Sequence, residues 1–197
     1  EHVEQAGVHS GDAIMSIPPQ TLSSTVIKTI EEYSKAIARA LKIKGPFNIQ
    51  YLVKNGNVSV IECNLRASRS MPYVSKTRGV NLIELSTAIM LGKTLKELGI
   101  LRIPPPKHVG VKVPSFSFMR LSGADPVLGV EMLSTGEVAC LGENFADALS
   151  KALQSVDFTI PSMGGSVLVT VGGNRMKRRI VPIAKSLKAM GFKIYAT

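Results

Sequence analysis

The larger, N-terminal part of the chain shows the hydrophobic patterns of both helices and strands. Apolar residues recur every three or four positions from Ser23-Ser24 to Leu41, which predicts an amphipathic helix with a serine N-cap. Phe47–Val53 and Val58–Cys63 are strand-like runs on either side of an Asn-Gly pair, which predicts a β-hairpin. The same reasoning predicts further strands at 12–17, 109–113 and 137–141, and helices at 72–77, 82–91 and 144–156.

The pattern changes after Pro161–Gly165, a short segment of turn-forming residues. A strand over Val167–Val171, a glycine-containing loop, a helix over about Met176–Met190 and a strand over Phe192–Tyr195 follow. This order predicts the βαβ start of a doubly wound α/β domain. We therefore expect two parts, 1–161 and 162–197. The chain opens on Glu1 rather than Met, and we expect it to be a piece of a longer protein.

Composition indicates a globular protein outside the membrane. The chain is 45% hydrophobic and 19% charged, unlike a disordered chain, and its longest apolar runs are of strand length. Cys63 and Cys140 are far apart and lack the spacing of a zinc site or a disulfide framework. These features, with no signal segment at the start, predict a cytoplasmic protein without a membrane partner.

The net charge of +10 is concentrated near the C-terminal end. Seven basic residues and no acidic ones follow Ser166, which leaves 17 basic against 14 acidic residues in the rest. Such a local basic face suits a phosphate-bearing small molecule or an acidic neighbouring domain. It also leaves open a nucleic-acid-binding module that uses Arg175–Arg179. The scattered Phe and Tyr residues argue against a base-stacking surface, so we expect no nucleic-acid partner.

The predicted hairpin carries the most informative polar residues. Glu62 and Asn64 lie two positions apart on one strand, so their side chains share a face. A carboxylate beside an amide carbonyl suits Mg²⁺ or Mn²⁺ that also contacts substrate phosphates. Gln50 on the partner strand can join this set only in one register. A two-residue Asn55-Gly56 turn in a regular ladder would place Gln50 on the opposite face, so we predict a three-residue loop, Lys54–Gly56, or a bulge.

Two further groups of residues flank this hairpin. Arg66 and Arg69 follow the second strand, where a guanidinium group can hold a carboxylate-like or phosphoryl oxygen. The segment Gly7–Asp12 offers small residues for close backbone approach, with hydroxyl and imidazole groups. Taken alone, each arginine could instead form a surface salt bridge, and Gly7–Asp12 could be an ordinary loop.

A likeness to a known family extends over essentially the whole chain. The segments that carry it are Glu1–Asp12, Asn48–Gln50, Ile61–Asn64 with Arg66 and Arg69, Pro72–Lys76, Val111–Pro114, Asp125–Gly129, Glu131-Met132 and Ser134–Val138. In this order they resemble the large subunit of the carbamoyl-phosphate synthetase family. That subunit holds two ATP-grasp halves, and this chain is similar to the second. The second half phosphorylates carbamate with ATP to give carbamoyl phosphate for pyrimidine and arginine biosynthesis.

The resemblance implies a fold for each part. Residues 1–161 would form the C-terminal part of an α+β ATP-grasp domain, a mostly antiparallel sheet with helices. Residues 162–197 would begin a regulatory α/β domain similar to methylglyoxal synthase, which binds an effector such as a nucleotide or ornithine. The family also takes ammonia from a separate or fused glutaminase.

The resemblance also implies a role for each matched residue. Gly7, Val8, His9 and Ser10 would line the nucleotide. Two Mg²⁺ or Mn²⁺ ions bridging the ATP phosphates would be held by Gln50, Glu62 and Asn64, with K⁺ as a further cation. Arg66 and Arg69 would steady the carbamate and the transferring phosphoryl group, and Lys177 and Thr197 would contact an effector phosphate.

The chain lacks the first part of an ATP-grasp fold, including its phosphate-binding loop. We therefore expect the isolated chain to bind ATP weakly and to turn nothing over. The alternatives are another ATP-grasp carboxylate–amine ligase, a biotin-carboxylase-like enzyme, and the basic nucleic-acid-binding module.

Overall fold

A computed structural model describes residues 1–100, 103–117, 123, 125–156, 158 and 161–197. It separates into two compact units, Glu1–Asp157 and Phe158–Thr197. The elements of the first unit are β1 (Met15–Ile17), α1 (Ser24–Ala40), β2 (Asn48–Lys54), β3 (Asn57–Asn64), α2 (Met71–Arg78), α3 (Leu82–Met90), β4 (Val109–Ser115), β5 (Gly136–Gly142) and α4 (Phe145–Gln154). Those of the second unit are β6 (Ser166–Val169), α5 (Asn174–Ala189) and β7 (Lys193–Ala196).

An antiparallel sheet of order β1-β4-β5 forms the centre of the first unit. The middle strand, β4, is buried from Gly110 to Pro114, so both of its faces are covered. Because side chains alternate across a strand, Val111 and Val113 share one face, and they pack with Ala148 and Ala152 of α4. This contact is the hydrophobic core of the unit. The expected arrangement, an antiparallel sheet with helices, is confirmed.

Helix α2 lies against the other face of the sheet. The side chain of Tyr73 is buried, and its hydroxyl donates hydrogen bonds to the Gly110 carbonyl at 2.8 Å and the Met15 carbonyl at 3.3 Å. Burial raises the pKa of Tyr73. A side chain at Gly110 would overlap that of Thr77, with its Cβ only 2.8 Å from Thr77 Cγ2. Glycine at position 110 therefore allows α2 to approach β4 closely, and α3 packs against α2 in turn.

The hairpin of β2 and β3 forms a separate two-stranded sheet. Helix α1 packs against it, and the hydroxyls of Ser34 and Tyr51 lie 2.8 Å apart in a hydrogen bond. The predicted cap of α1 is confirmed, because the Ser23 side chain accepts a hydrogen bond from the backbone N–H of Val26. The first strand begins at Met15 rather than Asp12, because the Asp12 N–H closes a turn onto the His9 carbonyl at 2.9 Å.

The second unit consists of β6, α5 and β7, and its two strands pair in parallel. The crossover helix follows Gly173, whose φ of 74° lies in the left-handed region. The βαβ arrangement predicted from the change of pattern is confirmed. In the described part of both units, no helix is long and apolar enough to cross a membrane.

We predict that Gly110→Ala destabilises the first unit by about 1–3 kcal/mol, because the added methyl group forces α2 away from β4. The free energy of unfolding in urea measures this effect. Gly136→Ala on the neighbouring strand is the matched control, since a Cβ there would lie 3.8 Å from the Ser115 side chain. Equal stability of the two variants would contradict this packing.

Candidate functional site

The register of the β2–β3 hairpin decides which side chains share a face. Asn55 and Gly56 both have positive φ, 52° and 80°, and form a two-residue turn. The three-residue loop that we predicted is therefore wrong, because the Asn-Gly pair supplies both left-handed positions of a tight hairpin turn. The predicted alternative, a bulge, is confirmed: Tyr51 pairs with Val60, whereas Gln50 pairs with Glu62, so Ile61 is an extra residue.

The bulge places the predicted ligands together. Residues directly opposite each other in an antiparallel pair point to the same face, so Gln50 and Glu62 share one. Asn64 lies on that face as well, and its side-chain Nδ2 donates a 3.0 Å hydrogen bond to Glu62 Oε1. A regular ladder behind the same turn would have paired Gln50 with Ile61. One inserted residue therefore brings all three side chains to one surface.

The donor set fits a hard divalent cation that also binds phosphate. Glu62 is exposed, and it forms no ion pair with any residue that the structure describes. Because Asn64 Nδ2 faces the carboxylate, its carbonyl oxygen stays available as a ligand. One carboxylate and two amides supply few protein ligands for Mg²⁺, which commonly completes its shell with water and substrate phosphates. The described ranges contain no group of three or more His, Cys, Asp or Glu residues that could hold a metal ion.

The two arginines of the predicted site make different contacts. Arg69 Nη2 donates to Ser134 Oγ at 3.2 Å and lies 3.2 Å from Met132 Sδ. A Cβ on Gly11 would lie 3.0 Å from Arg69 Nη2, so Arg69 sits against the loop before β1. Arg66 is exposed and donates to the carbonyl of its neighbour Ala67 at 3.3 Å.

The segment Gly7–Ser10 forms the loop in front of β1. The His9 N–H donates to the Gly129 carbonyl at 2.8 Å, and His9 Nδ1 accepts from the Gly11 N–H at 3.0 Å. Gly7 has a φ of 113°, which favours glycine. Arg69 thus joins this loop, while Gln50, Glu62 and Asn64 form a second group. No hydrogen bond or ion pair connects the two groups in the described part of the chain.

Two buried charged residues beside the loop were not assigned a role from sequence. Asp12 and Lys112 both have fully buried side chains. Lys112 Nζ donates to the Gly11 carbonyl at 3.2 Å and lies 3.5 Å from Glu137 Oε2. Burial lowers the pKa of Lys112, and the Glu137 carboxylate opposes that effect. The sequence signal was a lysine between two valines of a predicted strand. Such a lysine is buried if the strand is buried, and a buried cation needs a partner.

The two residues predicted to bind an effector line one cavity of the second unit. Lys177 and Thr197 border a cavity of about 360 Å³ between α5 and the two strands. Lys185 and Lys188 also border it, and most other lining residues are apolar. The side chain of Arg175 lies outside the part of the chain that the structure describes.

Comparison with known proteins gives a consistent sequence match. Residues 1–98 match the family of the carbamoyl-phosphate synthase L chain, ATP binding domain. Multifunctional protein pyr-3 of Neurospora crassa is 51% identical over 197 residues, which are 100% of this chain and 11% of that protein. The mitochondrial carbamoyl-phosphate synthase (ammonia) of Mus musculus is 48% identical over 201 residues, covering 100% of this chain and 13% of that protein. The chain thus spans about a tenth of the length of the curated relatives it matches.

Solved structures show a similar fold at low sequence identity. The biotin carboxylase domain of a single-chain bacterial carboxylase superposes with a TM-score of 0.55 at 17% identity. The match covers 72% of this chain and 38% of that chain. At this identity the likeness shows the fold alone, which is the ATP-grasp, biotin-carboxylase-like arrangement of an antiparallel sheet with helices.

We predict that the first unit loses stability in acid through Asp12. Burial raises the pKa of its carboxyl, but hydrogen bonds from Ser134 and from the N–H of Leu133 outweigh burial and hold the pKa below its usual value. A lowered pKa in the folded state stabilises the fold above the unfolded pKa of about 3.9, and this contribution falls as pH drops towards the folded pKa.

Urea unfolding between pH 7 and pH 2 measures this contribution. Asp12→Asn should be less stable than the parent chain at pH 7, and the difference should shrink below pH 4. Glu31→Gln, which removes an exposed carboxylate of α1, is the control. A difference between Asp12→Asn and the parent that stays constant with pH would contradict the assignment.

Proposed function

Because the chain belongs to the carbamoyl-phosphate synthase L chain family through its ATP-binding domain, we propose that it supplies the metal-binding side of an ATP site that phosphorylates carbamate. The observation that carries this proposal is the shared face of Gln50, Glu62 and Asn64. The product would be carbamoyl phosphate, which feeds pyrimidine and arginine biosynthesis. The reaction class is that of an ATP-dependent ligase.

The hairpin face is proposed to hold Mg²⁺ or Mn²⁺ against the phosphates of ATP. Glu62 contributes the negative charge, and Gln50 and Asn64 contribute neutral oxygens, so the set favours a cation already shared with a nucleotide. When bound, such an ion neutralises charge on the phosphate oxygens. K⁺ is proposed as a further cation at this site, and the described residues identify no ligand set for it.

Arg69 and the loop before β1 are proposed to hold the reacting groups. Arg69 lies against Gly11, so its guanidinium group is next to the segment Gly7–Ser10, which is proposed to line the nucleotide. A guanidinium group provides several N–H donors for phosphoryl or carbamate oxygens. Among the described residues, the exposed side chain of Arg66 bonds only to an adjacent carbonyl, which leaves most of its donors for a ligand.

The comparisons support carbamoyl-phosphate synthase over the alternatives. Identities of 47–51% run over the whole chain for the multifunctional and mitochondrial relatives. The biotin carboxylase likeness is limited to 17% identity and to the fold. A basic nucleic-acid-binding module receives no support from these matches.

The whole reaction requires more than these 197 residues, since the relatives are about ten times longer. We propose that the isolated chain binds a metal–nucleotide complex weakly and forms no carbamoyl phosphate. Bicarbonate-derived carbamate would be the second substrate. A glutaminase, separate or fused, or free ammonia would supply nitrogen. A cytoplasmic location stays a prediction.

The second unit is proposed to begin a regulatory domain similar to methylglyoxal synthase. Its sequence has seven basic and no acidic residues after Ser166, and Lys177 and Thr197 line the same cavity. An anionic effector such as a nucleotide phosphate therefore matches this unit better than the ammonium groups of ornithine, which would need carboxylate partners.

We predict that Glu62→Gln weakens binding of Mn²⁺ to the chain with ADP by at least about tenfold, because losing a charged partner costs roughly 1.5–3 kcal/mol. Electron paramagnetic resonance of free Mn²⁺ measures the affinity. Glu32→Gln, which removes an exposed carboxylate of α1, is the matched control. Equal Mn²⁺ affinity of the two variants would reject the hairpin site.

For the second unit, we predict that Lys177→Ala weakens UMP binding by about tenfold, because a charge-assisted hydrogen bond is lost. Isothermal titration calorimetry measures the change. Lys193→Ala removes the same charge from β7 at a position that does not line the cavity. The proposed effector site would be contradicted if the chain bound ornithine but not UMP, or if Lys177→Ala and Lys193→Ala lost UMP affinity equally.

A further inference from the structure

Asp12 joins two loops that are far apart in sequence. Its Oδ2 accepts a 2.8 Å hydrogen bond from the N–H of Leu133, and its Oδ1 accepts a 2.9 Å bond from the N–H of Ser134. Both oxygens of one carboxylate are thus used by consecutive backbone donors. The Asp12 N–H also donates to the His9 carbonyl at 2.9 Å. Because the side chain has no exposed surface, water cannot replace these bonds without opening the structure.

Ser134 extends this connection to Arg69. The Ser134 hydroxyl donates to the Gly11 carbonyl at 3.3 Å and accepts from Arg69 Nη2 at 3.2 Å. A hydroxyl group has one donor and two acceptor positions, so both bonds form at once. The orientation of Arg69 therefore depends on where the Ser134 backbone lies, and Asp12 determines that position.

Lys112 holds the same loop from the sheet. Its Nζ donates to the Gly11 carbonyl, which also accepts from Ser134. The buried lysine and the partly exposed Glu137 lie on one face of β4 and β5. Lys112 and Arg69 are thus accompanied by the carboxylates of Asp12 and Glu137, and Glu4 is a further carboxylate close enough to raise the pKa of Lys112. A polar network has one well-defined geometry when all of its partners are satisfied.

We propose that Asp12 is a positioning residue, which fixes the loop of Gly7–Ser10 and the guanidinium group of Arg69 relative to each other. This inference rests on the proposed function, in which the loop lines the nucleotide and Arg69 holds the phosphoryl group. Asp12 acts through the backbone of Leu133 and Ser134 and touches no ligand itself. A nucleotide-binding loop and a phosphoryl-binding arginine are useful only at a constant separation.

Nuclear magnetic resonance of the 197-residue chain tests this proposal. Asp12→Asn keeps the shape of the side chain but replaces one acceptor oxygen by an NH₂ group, which opposes an N–H donor. Exchange of the Leu133 and Ser134 amide hydrogens should accelerate by at least about tenfold. The guanidinium signal of Arg69 should shift, and MgADP affinity in an NMR titration should fall by about tenfold.

Ser134→Ala separates the bond between Ser134 and Arg69 from the bonds that Asp12 makes with the backbone. It removes the hydroxyl contact with Arg69 but keeps both backbone N–H bonds to Asp12. The Arg69 signal should shift and MgADP affinity should fall, as in Asp12→Asn, while the Leu133 amide remains protected from exchange. If Asp12→Asn fails to fold, Ser134→Ala still tests the link from Ser134 to Arg69, and an unshifted Arg69 signal overturns the proposal.

Val113→Ala is the control for general destabilisation, because it weakens the core between β4 and α4. It should leave the Arg69 signal and the MgADP affinity unchanged. The proposal is overturned if Asp12→Asn, like Val113→Ala, leaves both the Arg69 signal and the MgADP affinity unchanged. It is also overturned if Ser134→Ala leaves the Arg69 signal in place. A parent chain that shows no MgADP binding would instead contradict the proposed function, and the exchange and Arg69 signals would still decide whether Asp12 links the two loops.

Discussion

The first unit depends on the alternation of side chains along the central strand β4. Val111 and Val113 point to α4 and form the hydrophobic core, whereas Gly110 and Lys112 point to the opposite face. There, Gly110 admits helix α2, and Lys112 holds the loop before β1. A strand buried on both faces has no solvent side, so its one lysine must find partners inside the protein. These four consecutive buried residues, 110–113, therefore separate the hydrophobic core from a polar cluster beside the candidate site.

The helices, the strands and the antiparallel character of the first unit could be predicted from sequence, because they follow from local periodicity and caps. Ser23 and the Asn55-Gly56 pair are examples in which a residue type identifies the end of an element. From sequence, Gln50 and Glu62 were expected to share a face only if the strands of the hairpin paired in one particular register. The structure meets that condition through the bulge at Ile61 and not through a longer loop. A tight turn depends on the residues within it, such as an Asn-Gly pair. A bulge depends on how both strands pair, so its position is harder to predict from sequence.

The roles of Asp12 and Lys112 could not be predicted, because the hydrogen bonds that join Asp12 to Leu133 and Ser134, and Lys112 to the Gly11 carbonyl, span more than a hundred residues. Such contacts exist only after β1, β4 and β5 have assembled. Arg69 was selected for its place after the hairpin, and the sequence did not indicate its hydrogen bond to Ser134. The family resemblance supplied the roles expected of these residues, and the hydrogen bonds supply a physical reason for the geometry of the candidate site. In the second unit, the basic composition was clear from sequence, but the cavity that Lys177 and Thr197 share required the fold.

The central claim is that one bulge brings Gln50, Glu62 and Asn64 to a common metal–nucleotide surface. Paramagnetic broadening by Mn²⁺ in the presence of ADP locates this surface directly, because the effect falls steeply with distance from the ion. The account predicts that the side-chain amide signals of Gln50 and Asn64 both disappear at low Mn²⁺ concentration, while that of Asn144 at the start of α4 persists. Broadening of Asn64 without Gln50, or of Asn144 to the same extent, would contradict it.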